Sequence, residues 1–290
     1  MSNPRLDRLK LLCELVAPAR LTRILDIGAN PVHAPPYQMM LDAGLCEVWG
    51  FEPAPDAYAR LQEIKGPNEH YIQAAVGDGE THELRMFGEG GFNSTLDANL
   101  SFVDDYLGPR FGRGMRETGR LSFRTERLDD LDLPTPDLLK IDIQGGEVRV
   151  FDHGAHRLAG TGAIITEVAM VPLYRDQPLI GDQMNVLRGQ GFEFHKFTFL
   201  KGIPLASRLT AGLKRRQIAN QAVDGDAVFL RRDLVMRNAA PDDLEAVRHL
   251  ALTADAVFDS LDVVCRCLEI LQGRVEMDQT LLRTYLDSLT

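Results

Sequence analysis

The chain has 290 residues, enough for one or two domains of roughly 150 residues each. Hydrophobic residues make up 44% of it and charged residues 26%, which provides for a sizeable core and argues against global disorder. The net charge of −10 disfavours nucleic-acid binding, and the lack of any long apolar run or signal-peptide core predicts a cytoplasmic protein without a membrane span.

Strand and helix patterns alternate along the chain at intervals of about 20–30 residues, which indicates βαβ units and a mostly parallel sheet. Apolar spacing predicts helices over residues 4–17, 35–45, 55–64, 146–158 and 181–190. Predicted strands are residues 23–27, 47–51, 70–76, 82–87, 121–126, 137–143, 162–168, 192–197 and 227–231. The glycine-rich stretch 88–119 is expected to be irregular or partly helical.

The first predicted strand ends in an acid followed by a glycine, in the run LDIGAN (25–30). Ligands of open α/β sheets bind at the carboxyl ends of the strands. Gly28 lets the backbone approach a ligand closely, and Asp26 can attract an ammonium group. The N-terminus of the following helix favours a carboxylate. An amino-acid moiety carries both groups, although a strand ending in Asp-x-Gly is common.

The second predicted strand also ends in an acid, Glu52, about 25 residues after Asp26. An acid at this position can bind both ribose hydroxyls of an adenosine, and NAD sites place one similarly. The glycine fingerprint of dinucleotide sites is missing, because Ala29, Asn30 and Pro31 follow Gly28. A ligand with an adenosine and an amino acid but no pyrophosphate is S-adenosylmethionine.

An ordered set of short motifs resembles the FkbM family of S-adenosylmethionine-dependent methyltransferases. The matching stretches are ILDIGAN (24–30), GFEP (50–53), AAVGDGE (74–80), NSTL (93–96), RLDDL (127–131), LLKIDIQGGEVRVFDHGAHRL (138–158), ITEV (165–168) and GDAVFLRR (225–232). The resemblance implies a Rossmann-like, seven-stranded methyltransferase fold, with a mostly parallel sheet and helices on both faces. It also implies O-methylation of a hydroxyl on a sugar, a glycan or a secondary metabolite.

The resemblance also locates the cofactor. It places Asp26, Gly28 and Asn30 at the methionine end, Glu52 and Pro53 at the ribose, and Ala75, Val76 and Asp78 around the adenine. Asn93, Ser94 and Thr95 lie in a glycine-flanked loop and are expected to contact the cofactor or the acceptor. A plain Gly-Asp-Gly turn is the alternative for Asp78.

Two stretches depart from the family pattern. A proline-rich loop with His33 and Tyr37 follows Asn30, where the family has an aliphatic residue and a second glycine. Whether the two side chains face the substrate, or the tyrosine is packed and the histidine solvated, stays open. Gln144 stands where the family has a carboxylate, which weakens any proposal that this position binds a metal or acts as a base.

Two acids end neighbouring strands and are the candidate catalytic pair. Asp142 closes one predicted strand and Glu167 closes the next, and adjacent strands lie less than about 5 Å apart. The pair is predicted either to share a Mg²⁺ that lowers the pKa of the acceptor hydroxyl, or to supply a direct general base. His195, on a late strand, is a further candidate base, with a structural role as its alternative.

Residues 1–235 are predicted to form the methyltransferase domain, with an N-terminal helix within 1–20. The segment 196–223 holds six basic and no acidic residues, and is predicted to be either a lid over an anionic or lipid-linked acceptor or a solvated loop. Residues 236–290 are predicted as a helical C-terminal extension, with a helix start at Pro241–Asp243. Its heptad seam, from Val257 to Val275, predicts a homodimer or packing on the chain's own domain.

The sequence thus favours an S-adenosylmethionine-dependent O-methyltransferase acting on a small-molecule or glycan acceptor. Two alternatives stay open at this point. One is an oxidoreductase that uses NAD or a nucleotide sugar, against which the missing glycine fingerprint counts. The other is a non-catalytic nucleotide-binding adaptor that uses the fold as a scaffold.

Overall fold

Seven strands form the central sheet of the computed structural model, which describes residues 3–210, 212–236, 239–240 and 243–289. The strands are β1 (Thr22–Ile27), β2 (Cys46–Phe51), β3 (Glu69–Ile72), β7 (Leu138–Ile141), β8 (Ala163–Ala169), β9 (Phe192–Ile203) and β10 (Gln221–Arg231). Their order is β3-β2-β1-β7-β8-β10-β9, and β10 alone runs antiparallel to its neighbours. The mostly parallel seven-stranded sheet predicted from the sequence is confirmed.

Helices cover both faces of this sheet because most of its strands are apolar on both sides. The helices are α1 (Pro4–Val16), α2 (Gln38–Asp42), α3 (Pro55–Ile64), α4 (Leu100–Tyr106), α5 (Pro109–Gly114), α6 (Glu147–Asp152), α7 (Ile180–Gly189), α8 (Arg215–Ile218), α9 (Arg232–Val235), α10 (Leu244–Ala256), α11 (Leu261–Gln272) and α12 (Gln279–Asp287). One face packs against α1, α10 and α11, and the other against α6 and α7. Within the described residues, no helix is long and apolar enough to span a membrane.

A second, three-stranded sheet departs from the simple alternation expected from the sequence. It consists of β4 (Ala75–Gly77), β5 (Thr81–Phe87) and β6 (Glu117–Arg127) in the order β4-β6-β5. The predicted strand 70–76 therefore divides, since its first part pairs with β2 and its second with β6. Between β5 and β6, helices α4 and α5 contribute to a third apolar cluster, which also contains Tyr174, Ile203 and Val223.

Only part of the basic segment 196–223 is a connection between strands. Residues 196–203 continue β9 and residues 221–223 begin β10, so that only 204–220 links the two strands. Lys196 donates to the backbone carbonyl of Phe258, and Lys201 forms an ion pair with Asp224 at 3.0 Å. These two lysines therefore belong to the folded body rather than to a loop.

The C-terminal helices pack on the chain's own sheet. The seam residues Val264, Leu268 and Leu271 are buried in the apolar cluster of the sheet face that α1 also covers. Asp255 of α10 accepts hydrogen bonds from the Arg8 side chain and the Tyr285 hydroxyl, which ties α1, α10 and α12 together.

The apolar seam on which the predicted homodimer depended is therefore used within the chain. Dimerisation stays a prediction that the fold does not support. In the predicted helix start, Pro241 and Asp242 lie outside the described residues.

Candidate active site

A row of charged side chains lies at the carboxyl edge of the central sheet. Along a strand, every second residue faces the same side. Ile24, Leu138, Ile165 and Val228 belong to the apolar cluster beneath α1 and α10. At the carboxyl ends of the same strands, the alternation places charged residues on the sheet face that carries this apolar cluster. They are Asp26, Lys140, Asp142, Glu167 and Asp226.

The Gly28 turn connects the strand ends that carry Asp26 and Glu52 with the strand end that carries Asp142. Gly28 has a φ of +86°, a conformation that favours glycine, and its N–H donates to the carbonyl of Phe51 at 3.0 Å. A Cβ at this position would lie 2.2 Å from the carbonyl oxygen of Asp142. The ends of β1, β2 and β7 therefore meet at one point, which any larger residue would push apart.

Asp26 is buried, and two protein groups hold it. Its Oδ2 accepts a hydrogen bond from the Tyr37 hydroxyl at 2.6 Å, and its Oδ1 lies 3.2 Å from the Lys140 ammonium group. Burial, with the neighbouring Asp26 carboxylate, raises the pKa of Tyr37 well above its ordinary value. Tyr37 is therefore packed rather than facing a substrate. Both carboxylate oxygens of Asp26 are therefore buried against protein groups, Tyr37 on one side and Lys140 on the other.

Glu52 lies beside the Gly28 turn with only 8% of its surface exposed. One of its oxygens accepts a hydrogen bond from the Ala54 N–H at 2.8 Å, which fixes the carboxylate beyond Pro53. Burial raises the pKa of Glu52 above its ordinary value. Asn30, by contrast, is exposed, and its side chain accepts from the N–H of Val32 in the proline-rich loop.

The predicted adenine-side residues lie where the two sheets meet. Ala75 and Val76 form β4, and Asp78 follows in the turn to β5. The Asp78 carboxylate contacts His82 Nε2 at 2.8 Å and accepts from Thr125 at 3.1 Å. Although burial opposes it, hydrogen bonding by His82 holds the pKa of Asp78 below its ordinary value. The turn itself thus uses this carboxylate, as the alternative interpretation of the sequence expected.

Asn93 and Ser94 shape the loop above the end of β7. The Asn93 side chain accepts from the N–H of Phe87 at 2.9 Å, which stabilises the loop itself. The Ser94 hydroxyl is buried and donates to the backbone carbonyl of Gln144 at 2.6 Å. Both contacts join protein groups to each other, and Ser94 positions the segment that follows Asp142.

The Gln144 side chain connects the two candidate catalytic acids. Its amide nitrogen donates to Asp142 Oδ1 at 3.0 Å and to Glu167 Oε2 at 2.6 Å. Gln144 adopts a φ of +56°, unusual for a residue other than glycine, which marks a strained loop end. An amide donor suits a position between two carboxylates, where a third acid would add like-charge repulsion.

Burial and mutual repulsion raise the pKa values of several acids here. For Glu167, burial is the largest cause and the neighbouring Asp142 the next, and its pKa lies well above the ordinary value. Burial, together with Asp142, raises the pKa of Asp226 to about 6. Lys140 is the cation that faces this group among the described residues. The edge therefore favours cationic ligands. Its own acids can accept protons near neutral pH.

His195 does not join this group. Its Nε2 lies 2.9 Å from the Ser260 hydroxyl, and its ring packs edge-on against Phe258. Burial lowers the pKa of His195. Its neighbours on β9 pair with Val228 and Phe229, in the middle of the sheet, where the C-terminal helices cover it. The structure thus gives His195 the structural role and separates it from Asp142 and Glu167.

Two residues that the sequence reasoning did not single out belong to the edge. Asp226 pairs directly with Glu167 across the antiparallel strands, and the Tyr174 hydroxyl lies 3.4 Å from Gln144 Oε1. Asp226 lies in the stretch GDAVFLRR, where an acid precedes a predicted strand. That position could have identified it as a candidate site residue. Tyr174 follows β8 without a motif, and its position depends on tertiary contacts alone.

Comparison with known proteins agrees with this architecture. The methyltransferase FkbM domain matches residues 26–194. The 2-O-methyltransferase NoeI of Sinorhizobium fredii (strain NBRC 101917 / NGR234) is 29% identical over 173 residues, which cover 53% of this chain and 66% of NoeI. The chain thus matches slightly less than two thirds of the length of that relative.

Solved methyltransferase structures are more distant. The methyltransferase FkbM of Methylobacillus flagellatus KT has a TM-score of 0.39 at 10% identity, covering 72% of this chain and 43% of that one. The magnesium protoporphyrin IX methyltransferase of Synechocystis PCC 6803, solved with bound SAM, has a TM-score of 0.36 at 11% identity, with 78% and 79% covered.

The fold is an α/β sheet with helices on both faces and a row of acids at the carboxyl edge. The family match spans more than half of the chain, from the acid that ends β1 to the start of β9. The chain therefore belongs to the FkbM methyltransferase family.

Proposed function

We propose that this protein transfers the methyl group of S-adenosylmethionine to a hydroxyl of a sugar, a glycan or a related small molecule. The observation that carries the proposal is the continuous acidic edge that begins at Asp26 and Glu52 and ends at Asp142 and Glu167. The Gly28 turn brings the two halves into contact. Together with the family membership, this edge supports one site with two parts. Asp26 and Glu52 form its nucleoside half, and Asp142 and Glu167 form its transfer half.

The nucleoside half offers complementary groups to the two ends of the cofactor. Glu52 is positioned to accept hydrogen bonds from ribose hydroxyls, because its carboxylate is fixed by the Ala54 N–H beside the Gly28 turn. Asp26 contributes its negative charge at the end of β1, where we place the ammonium group, while Tyr37 and Lys140 fix its carboxylate. The sulfonium of S-adenosylmethionine supplies an electrophilic methyl group, and a row of carboxylates stabilises its positive charge.

The transfer half holds the acceptor hydroxyl and its proton. Asp142 follows β7 at the Gly28 turn and is therefore the acid nearest to the nucleoside half. We assign it the orientation of the hydroxyl and the acceptance of its proton. Glu167, with its raised pKa, stores a proton next to Asp142. The Gln144 amide holds the two carboxylates beside each other by donating to both.

The donor set supports a mechanism without a metal ion. The group between Asp142 and Glu167 is the Gln144 amide nitrogen, which cannot coordinate a cation. Among the described residues, no cluster of three or more histidine, cysteine, aspartate or glutamate side chains has the arrangement of a metal site. The Mg²⁺ site considered from the sequence therefore receives no support. A chelator should leave turnover unchanged, whereas loss of activity restored by Mg²⁺ would contradict this mechanism.

The acceptor class is inferred from the relative. NoeI is a 2-O-methyltransferase, so a hydroxyl is the preferred acceptor group. Incubation with methyl-labelled S-adenosylmethionine and a panel of sugars, glycans and amines tests this proposal. Label that enters hydroxyl acceptors and survives mild base supports an ether product. Label found only in amines, or in none of the acceptors, would overturn the assignment.

Cofactor choice is tested separately by calorimetric titration. S-adenosylmethionine should bind with micromolar affinity and NAD should not, because no glycine-rich pyrophosphate loop follows Gly28. Tight NAD binding would return the oxidoreductase alternative. Binding of S-adenosylmethionine without transfer to any acceptor would favour the adaptor alternative.

A further inference from the structure

The connection between β9 and β10, residues 204–220, combines exposed leucines with exposed cations. Five of the thirteen large apolar side chains that are exposed in the described part of the chain lie between positions 199 and 213. Leu209 is 93% exposed, Leu213 52% and Leu205 48%. Three of these five side chains, those of Leu205, Leu209 and Leu213, belong to the connection itself, and grouped exposed apolar side chains are typical of interaction sites.

The cations of the same segment have no anionic partners among the residues that the structure describes. Arg208, Lys214, Arg215 and Arg216 are exposed, and residues 204–220 contain no acid. No ion pair involves these four side chains within the described ranges. The other two cations of the basic segment, Lys196 and Lys201, are used inside the fold. A protein with a net charge of −10 thus carries a local positive surface at this tip.

The tip lies on the same side of the sheet as the candidate active site. Phe199 of β9 is level with Asp226, and β9 continues four residues further to Ile203, which pairs with Gln221. The connection therefore extends beyond the carboxyl edge. Its base is anchored, because Ile203 is buried with Tyr174 and the N–H of Ala206 donates to the carbonyl of Tyr106 at 2.9 Å.

We infer that residues 204–220 form a membrane-docking tip that binds the surface of an anionic lipid bilayer. Leucines inserted at the headgroup level gain from leaving water, while the surrounding arginines and lysine contact lipid phosphates. A soluble phosphate would use the cations but leave the leucines exposed. The anchored base would hold the carboxyl edge towards the bilayer, where a lipid-linked acceptor would be presented. The inference does not depend on methyl transfer, because vesicle binding needs neither cofactor nor acceptor.

Vesicle flotation tests the inference with the full chain. The protein should float with vesicles of phosphatidylcholine and phosphatidylglycerol, and not with phosphatidylcholine alone. Binding should weaken as salt is raised, and soluble glycerol phosphate should compete poorly. Equal binding to both vesicle types, or no binding to either, would overturn the inference. Strong competition by glycerol phosphate would show a soluble anion as the ligand and overturn it as well.

Two variants separate the contributions of charge and apolar surface. Replacing the four cations with glutamine should lower vesicle affinity by at least ~100-fold, since each contributes on the order of fivefold near an anionic surface. Replacing Leu205, Leu209 and Leu213 with serine should lower it by at least ~10-fold.

A control carries the same kinds of substitution, cation to glutamine and aliphatic side chain to serine, on another surface. It is the triple variant Arg60→Gln, Ile64→Ser, Lys65→Gln, at the exposed end of α3. Circular dichroism verifies that each variant is folded. An equal loss in the control would contradict docking through the tip. If the tip variants do not fold, the lipid and salt dependence of the unmodified protein decides alone.

Discussion

Asp137 and Asp142 flank the same four-residue strand, β7, but their surroundings differ completely. Asp137, before the strand, is buried and receives two hydrogen bonds from the Arg20 guanidinium and one from the N–H of Arg23. Asp142, after the strand, accepts from the Gln144 amide, and within the described residues no cation forms an ion pair with it. The first carboxylate is paired with an arginine, and the second lies among the acids of the carboxyl edge with Lys140 as the nearby cation.

This difference distinguishes a structural acid from a reactive one. The Asp137 carboxylate is committed to hydrogen bonds with Arg20 and Arg23 inside the fold. At the other end of the strand, burial and, after it, repulsion from neighbouring acids raise the pKa values of Glu167 and Asp226. The residue type and the strand are the same in both cases, and the partners determine the chemistry. Four substitutions examine the contrast.

The largest effect is expected for Asp142→Asn. Loss of the acid that accepts the hydroxyl proton should reduce methyl transfer by ~10²-fold or more. Affinity for S-adenosylmethionine should stay within a few-fold, since the nucleoside half is untouched. Single-turnover kinetics and calorimetry measure the two quantities. Near-normal turnover would remove Asp142 from the transfer half.

The opposite result is expected for Asp137→Asn. The substitution weakens the contact with Arg20 at the other end of β7, and should lower the free energy of unfolding by about 2 kcal/mol. Turnover per folded molecule should not change. Denaturant titration and an activity assay test both statements. A stable but inactive variant would mean that the two ends of the strand are not functionally distinct.

A smaller effect is expected for Glu52→Ala. Because a hydrogen bond to a charged group contributes about 1.5–3 kcal/mol, affinity for S-adenosylmethionine should fall by at least ~1.5 kcal/mol. Transfer at saturating cofactor should change little. Calorimetric titration measures the loss, and unchanged affinity in a folded variant would place Glu52 outside the site.

The smallest effect concerns the pH dependence of stability. Burial raises the pKa of Glu147 to about 7, against the opposing N–H donors of Ile143 and Gly145. The folded protein therefore holds this proton more tightly than the unfolded chain, so that stability falls as pH rises. Between pH ~6 and ~8 the loss from this group is roughly 1 kcal/mol. Glu147→Gln should flatten the profile of Tm against pH in that range, and an unchanged slope would contradict the raised pKa.

Much of the fold could be predicted from local pattern. The apolar runs around Ile24 and Leu139 predict buried strands, and the alternation with helices predicts a mostly parallel sheet. Asp26, Glu52 and Asp142 could be placed at one edge, because parallel strands present their carboxyl ends together. The small sheet was less predictable, since β4 and β6 are separated by about forty residues, and such distant pairing leaves no local signal.

Sequence alone determined which strands end in an acid, and that no glycine-rich dinucleotide loop follows the first of them. It also determined the resemblance to a methyltransferase family. These features follow from neighbouring residues and fixed spacing. Tertiary structure decided which acids are paired. Tyr37 occupies one oxygen of Asp26, Gln144 connects Asp142 with Glu167, and Asp226 comes from a distant antiparallel strand. It also decided that the C-terminal seam packs on the chain's own sheet, and that His195 contacts Phe258 and Ser260. An apolar seam or a lone histidine requires burial or a partner, and only the folded chain determines which surface provides it.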